Sequence, residues 1–87
     1  MQVNDKKKII LNSLANQLKL LRKDKSQFIL ASENDISVSI ISTIERGLKD
    51  PQLTTFFKLA EALNLKPHQL MKLIEKDLPD NFTLIDK

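Results

Sequence analysis

Three small hydroxyl side chains, Ser39, Ser42 and Thr43, stand close together and are followed by two cations, Arg46 and Lys49. Hydroxyls both donate and accept hydrogen bonds, and a guanidinium or ammonium pairs with anions such as phosphate. At about 100° per residue, Ser39, Ser42, Thr43 and Arg46 share one helix face, with Val38 at its edge. Ile41 and Ile44 point the opposite way, and Ile40 flanks Ile44. A helix with one apolar side and one small, hydroxyl-bearing side fits a DNA major groove without steric obstruction. Standing alone, such residues are more often a plain solvated face, so the surrounding pattern has to decide.

Catalysis finds no comparable set. The chain has one histidine (His68, read as a surface residue), no cysteine and a single glycine, Gly47. A glycine-rich phosphate loop, a thiolate metal site and a clustered carboxylate pair are all missing, so no enzyme, metal, cofactor or small-molecule ligand is expected.

The 87 residues suffice for one small domain with a modest core, one that a partner chain would help to stabilise. Its expected extent is residues 1–78, followed by a tail over 79–87. The apolar residues near the start are interrupted by Asn12, Ser13, Asn16, Gln17 and Lys19, which fits neither a signal-peptide core nor a membrane span. A soluble cytoplasmic protein is expected, nucleoid-associated when bound to DNA. Net charge is +3, which permits nucleic-acid binding. Its distribution is uneven. Residues 1–25 hold seven Lys/Arg against two Asp/Glu, whereas residues 26–50 hold Arg46 and Lys49 against Glu33, Asp35, Glu45 and Asp50.

Spacing and punctuation predict helices throughout. The first runs from about Asp5 to Lys23, capped by Asn4 or Asp5, with Leu11, Leu14, Ala15, Leu18 and Leu21 as its buried stripe. Ser26 caps a second helix from Gln27 to about Glu33. Leu30 and Ala31 face inward, with Phe28 or Ile29 as a flank. Asn34-Asp35 breaks it, Ile36 fills the turn, and Ser37 caps a third helix over Val38–Arg46. Gly47 suits the left-handed position that closes a helix. A fourth helix is expected from about Leu53 to Leu63, with Leu53, Phe56, Phe57, Leu59, Ala60 and Leu63 as a wide apolar face. A fifth runs from Pro67 through Leu70, Met71, Leu73 and Ile74 to about Asp77. Phe82, Leu84 and Ile85 make the tail too apolar for a plain disordered end.

Ser26-Gln27, Leu30-Ala31, Ile36-Ser37 and Ile41, then Ile44-Glu45-Arg46-Gly47, Pro51-x-Leu53 and Leu59-Ala60-x-Ala62-Leu63-Asn64-Leu65, occur in an informative order. Together they resemble the XRE or Cro/repressor helix-turn-helix family, over roughly Leu14 to Met71. The resemblance implies an all-α, five-helix, lambda-repressor-like fold with the helix-turn-helix at about residues 26–46. It places Val38, Ser39 and Thr43 at base-reading positions, joined on the same face by Ser42. Gln27 falls at a phosphate-contacting position, and Arg46 and Lys49 clamp phosphate beyond the third helix. Arg22 and Glu45 match positions that pair with each other as scaffold. The family's usual Gly-Leu-like pair before Ser-Gln is missing here, Asn34-Asp35 replaces its turn residues, and Leu48 stands where a basic residue is common.

The implied function is a sequence-specific transcriptional regulator of double-stranded DNA. It is expected to be a repressor acting on a palindromic site as a homodimer through the fifth helix and the tail. None of the face residues is a bidentate base reader, so modest direct readout assisted by DNA shape is expected. The competing reading is a protein-interaction module, such as an antitoxin-like partner with weak or lost DNA binding, which the local excess of acid, Leu48 and the weak base-reading set would favour.

Overall fold

The protein is described here as a computed structural model covering residues 3–85. Five helices follow one another: α1 (Val3–Arg22), α2 (Gln27–Glu33), α3 (Val38–Glu45), α4 (Leu53–Ala62) and α5 (Pro67–Lys76). No strand occurs among the described residues. This is the expected all-α arrangement, with α2 and α3 as the helix-turn-helix.

Local chemistry sets the boundaries. The Ser26 hydroxyl accepts a hydrogen bond from the Ile29 amide at 3.1 Å, and Ser37 accepts from the Ile40 amide at 3.3 Å. Each cap satisfies an otherwise orphaned amide, which stabilises a helix start by about 1 kcal/mol. Asn34 closes α2 by donating from its side chain to the Leu30 carbonyl at 2.9 Å, and Asp35 takes a left-handed φ of 54°. Such a φ is tolerated by aspartate, whose short polar side chain bonds locally. At the end of α3, the Gly47 amide donates to the Ile44 carbonyl and the Leu48 amide to that of Thr43, at 2.9 and 3.0 Å. This paired closure requires the left-handed residue that Gly47 supplies at φ 72°. At the start of α5, the Gln69 side chain accepts from the Lys66 amide at 2.8 Å, ahead of Pro67.

The core runs through all five helices. Leu14 and Leu18 of α1 meet Leu30, Ile41, Ile44, Phe56, Leu59, Leu70 and Ile74, with Ile36 sealing the α2–α3 turn. Leu18, Leu30, Ile41, Ile44, Leu59 and Leu70 are fully buried, each contributing roughly 1.5–3 kcal/mol by leaving water. Two polar contacts fix α5 against α1. Ser13 donates to the Ile74 carbonyl at 3.0 Å, and Gln17 donates to the Asp77 carboxylate at 2.6 Å. Among the described residues, no helix is long and apolar enough to cross a membrane.

Several expectations need correcting. Asn4 and Asp5 lie inside α1, so neither caps it. At its other end α1 stops at Arg22, and Lys23 turns left-handed at φ 54°. The shortened connection is filled by Leu21, which packs on the core, whereas Leu20 is exposed. Arg46, Leu63 and Asp77 are the C-caps of α3, α4 and α5 rather than their last residues. The apolar face of α4 is narrower than expected. Phe56, Leu59 and Ala60 are buried, but Leu53 is 71% exposed and Phe57 47%, because this i, i+4 pair lies off the buried stripe. Phe28 and Ile29 of α2 and Met71 of α5 are likewise exposed. Of the tail, residues 86 and 87 lie outside the described residues, as do residues 1 and 2 of the expected domain.

Gly47 is constrained twice, since a Cβ there would stand 2.5 Å from Asn12 Oδ1. Gly47→Ala should lower stability by about 1–2 kcal/mol in chemical denaturation. The exposed Asn12 side chain can swing aside, so adding Asn12→Ala should recover only the smaller part of that loss. The remainder reflects the left-handed backbone.

Candidate nucleic-acid interface

The site begins with what holds α3 in place. Glu45, at the inner edge of α3, is only 3% exposed. Arg22, from the last turn of α1, meets it with a two-pronged contact: Nη2 donates to Oε1 at 2.8 Å while Nε donates to Oε2. Gln27 Nε2, from the first turn of α2, donates to the same Oε1 at 2.9 Å. One carboxylate therefore joins three helices. The scaffold pairing of Arg22 with Glu45 is present, and Gln27 joins it.

Burial by itself pushes the Glu45 carboxyl up. The hydrogen bonds from Arg22 and Gln27, with the charges of Arg22 and Lys19, outweigh burial and hold it below the usual glutamate range. The Arg22 guanidinium is raised by the same hydrogen bond to Glu45, against some desolvation. Such a pair contributes little net when intact but is costly to break, because one charge would be left without its partner.

With α3 fixed, its outer face is open. Val38, Ser39, Arg46 and Lys49 are exposed, and Ser42 and Thr43 are half-buried. Ile41 and Ile44 point into the core and Ile40 is half-buried beside them. Ser39, Thr43 and Lys49 line one shallow open depression, together with Ile40, Leu48 and Asp50. Val38, Ser42 and Arg46 lie outside its lining. Arg46 leans along the helix, its Nε 3.4 Å from the Ser42 carbonyl. The Thr43 hydroxyl lies 2.9 Å from the Ser39 carbonyl and 3.0 Å from that of Ile40, so its proton is directed to its own backbone. What Thr43 offers outward is an acceptor oxygen and a methyl group.

Tertiary contacts also recast the acidic balance of residues 26–50. Glu45 is neutralised by Arg22, Glu33 meets Lys25 at 2.6 Å, and Asp50 meets Lys7 at 3.5 Å. Three of the four acids thus face cations from residues 1–25. The two contacts of Glu33 and Asp50 are solvent-exposed and contribute little stability, but they reduce the negative field near α3. Counting charges along the chain could not reveal this pairing.

Comparison with known proteins follows the same outline. The helix-turn-helix family model matches residues 18–70, from the last turn of α1 into α5. The chain belongs to the helix-turn-helix family, as an XRE-type regulator. Control protein C.BamHI of Bacillus amyloliquefaciens is 31% identical over 64 residues, covering 74% of this chain and 79% of that relative. No solved structure matches the chain significantly. Family membership and this relative make the protein a DNA-binding transcription regulator, and point away from an enzyme.

Sequence reasoning did not find Gln27's part in the Glu45 cluster, nor Leu48 in the lining of the depression. The signal for Leu48 was its departure from the basic residue common in the family.

Because the Glu45 carboxyl is lowered on folding, its contribution is fully present above the unfolded glutamate value of about 4.3. It is lost as pH falls through the lower folded value. Glu45→Gln should cost about 2–3 kcal/mol at neutral pH, by leaving Arg22 without its anion. The deficit relative to the parent should shrink as the denaturation midpoint is followed below about pH 4.

Proposed function

We propose that the protein is a repressor that binds a palindromic DNA site as a homodimer, placing α3 in the major groove of each half-site. The observation that carries this reading is the open outer face of α3, where Ser39, Thr43 and Lys49 share one depression that no other element covers among the described residues. Ser39 and Ser42 would supply adaptable hydroxyls, and Val38 would pack against a thymine methyl at the start of the helix. Thr43, with its proton committed to the backbone, would accept a hydrogen bond from an exocyclic amine such as adenine N6 or cytosine N4. Arg46 and Lys49 would hold phosphate. Gln27, whose amide already donates to Glu45, would contribute to phosphate binding mainly by fixing the start of α2.

The homodimer is supported by apolar surface on α5 and in the segment after it: Met71, Leu84 and Ile85 are exposed in the single chain. The expected 1–78 domain with a 79–87 tail fits an interface built from α5 and that tail. Two copies would present their α3 helices about one DNA turn apart. Repression is the simplest consequence of occupying such a site, and the control role in the relative's name agrees with a regulatory one. A cytoplasmic, nucleoid-associated location follows from this reading. The protein-interaction alternative loses one of its supports, the local excess of acid, where Glu33, Glu45 and Asp50 face cations.

Selection of bound duplexes from a random pool should yield a two-fold symmetric site, with affinity falling steeply as salt rises. An asymmetric site would contradict the dimer, and no enrichment at low salt would contradict the reading altogether. On the selected site, Thr43→Ala should reduce discrimination at one base step by roughly three- to tenfold while leaving the melting curve nearly unchanged. Unchanged selectivity would remove Thr43 from the reading set.

A further inference from the structure

Leu48 is 69% exposed, although it follows directly on the helix that carries the reading face. Its backbone is tightly fixed. Its amide bonds to the Thr43 carbonyl at 3.0 Å, directly after the left-handed Gly47, whose amide bonds to the Ile44 carbonyl at 2.9 Å. The closing motif of α3 needs only the Gly47 conformation and these backbone bonds, so the leucine side chain is not required to end the helix. An apolar residue at this position commonly packs back on its own helix, but here most of the side chain remains in solvent. It lines the same depression as Ser39 and Thr43, with Lys49 next to it.

We propose that Leu48 is a specificity-determining residue that reads a thymine methyl group in the major groove, beside the base contacted by Thr43. The inference rests on the DNA-binding reading above and extends it to a residue outside α3. Leucine has no hydrogen-bonding group for a base edge or a phosphate. Among the features that base pairs present in the major groove, the thymine C5-methyl is the apolar one. Ser39 and Thr43 along one row of α3, then Leu48 where that row ends, form a sequence of two hydroxyls and one apolar contact. Lys49 and Arg46 on either side would anchor phosphate and hold the leucine against the groove. A basic residue at position 48 would add sequence-independent attraction, whereas leucine gives up that attraction for contact with a methyl group.

The test uses the duplex selected by the parent protein and a set of duplexes with single thymines replaced by deoxyuridine, which removes only the methyl. The parent should lose roughly three- to fivefold in affinity at one thymine of the half-site. Leu48→Ala should bind the thymine duplex weaker by a similar factor and be indifferent to deoxyuridine at that position. Its melting curve and its binding to unrelated DNA should match the parent's. If Leu48→Ala keeps the parent's full deoxyuridine profile, the proposal is overturned while DNA recognition stands. Equal weakening on all duplexes, with the methyl penalty retained, would assign Leu48 to the sugar-phosphate backbone and also overturn it. Failure of the parent to select any duplex would overturn the DNA reading and this inference together.

Discussion

The placement of α3 depends on one buried carboxylate. Glu45 is held between Arg22 of α1 and Gln27 of α2, and its charge is tolerated at 3% exposure because both oxygens are engaged. A well-packed apolar residue could fill similar volume without the cost of desolvating an ion. Apolar contacts are non-directional, whereas a two-pronged guanidinium contact is tied to one geometry. The core behind it, above all Ile41 and Ile44, supplies most of the stabilisation. The carboxylate then ties α1, α2 and α3 together through hydrogen bonds of fixed direction.

That division of labour explains the quiet chemistry of the outer face. Ser39, Ser42 and Thr43 are short, and the Thr43 proton is directed to the backbone. None of these side chains is long, so on the proposed reading recognition would depend on the helix being delivered in the right orientation. The cations from residues 1–25 that face Glu33, Glu45 and Asp50 would lessen repulsion of DNA by this face.

Much of this was legible in the sequence because it is encoded locally. Ser26, Ser37, Gly47 and Pro67 mark helix ends through their own hydrogen bonds or φ values, and the Leu11–Leu18 stripe and the Ile41/Ile44 pair mark burial by spacing. Where sequence reasoning went astray, the deciding contact was between distant residues. Leu53 and Phe57 look like core on a helical wheel, but how far the packing around α4 extends is set by its neighbours. The acidic count of residues 26–50 looked unfavourable until α1 and the turn after it supplied partners for three of the acids. What the sequence did not show of Gln27 is that Glu45, 18 positions away, engages its amide. The Asn4 and Asp5 caps failed for a milder reason: several polar residues in a row offer no unique start to α1.

The central claim is that the outer face of α3, held by Glu45, is the surface that meets DNA. Amide chemical-shift mapping of the isotope-labelled protein with its selected duplex tests this most directly. The account predicts that the largest changes fall on Val38–Lys49 and the first turn of α2, with Ile41 and Ile44 shifting little and the Ser13–Ile74 contact undisturbed. Changes concentrated on α5 and the 79–85 segment, with α3 silent at saturation, would contradict it.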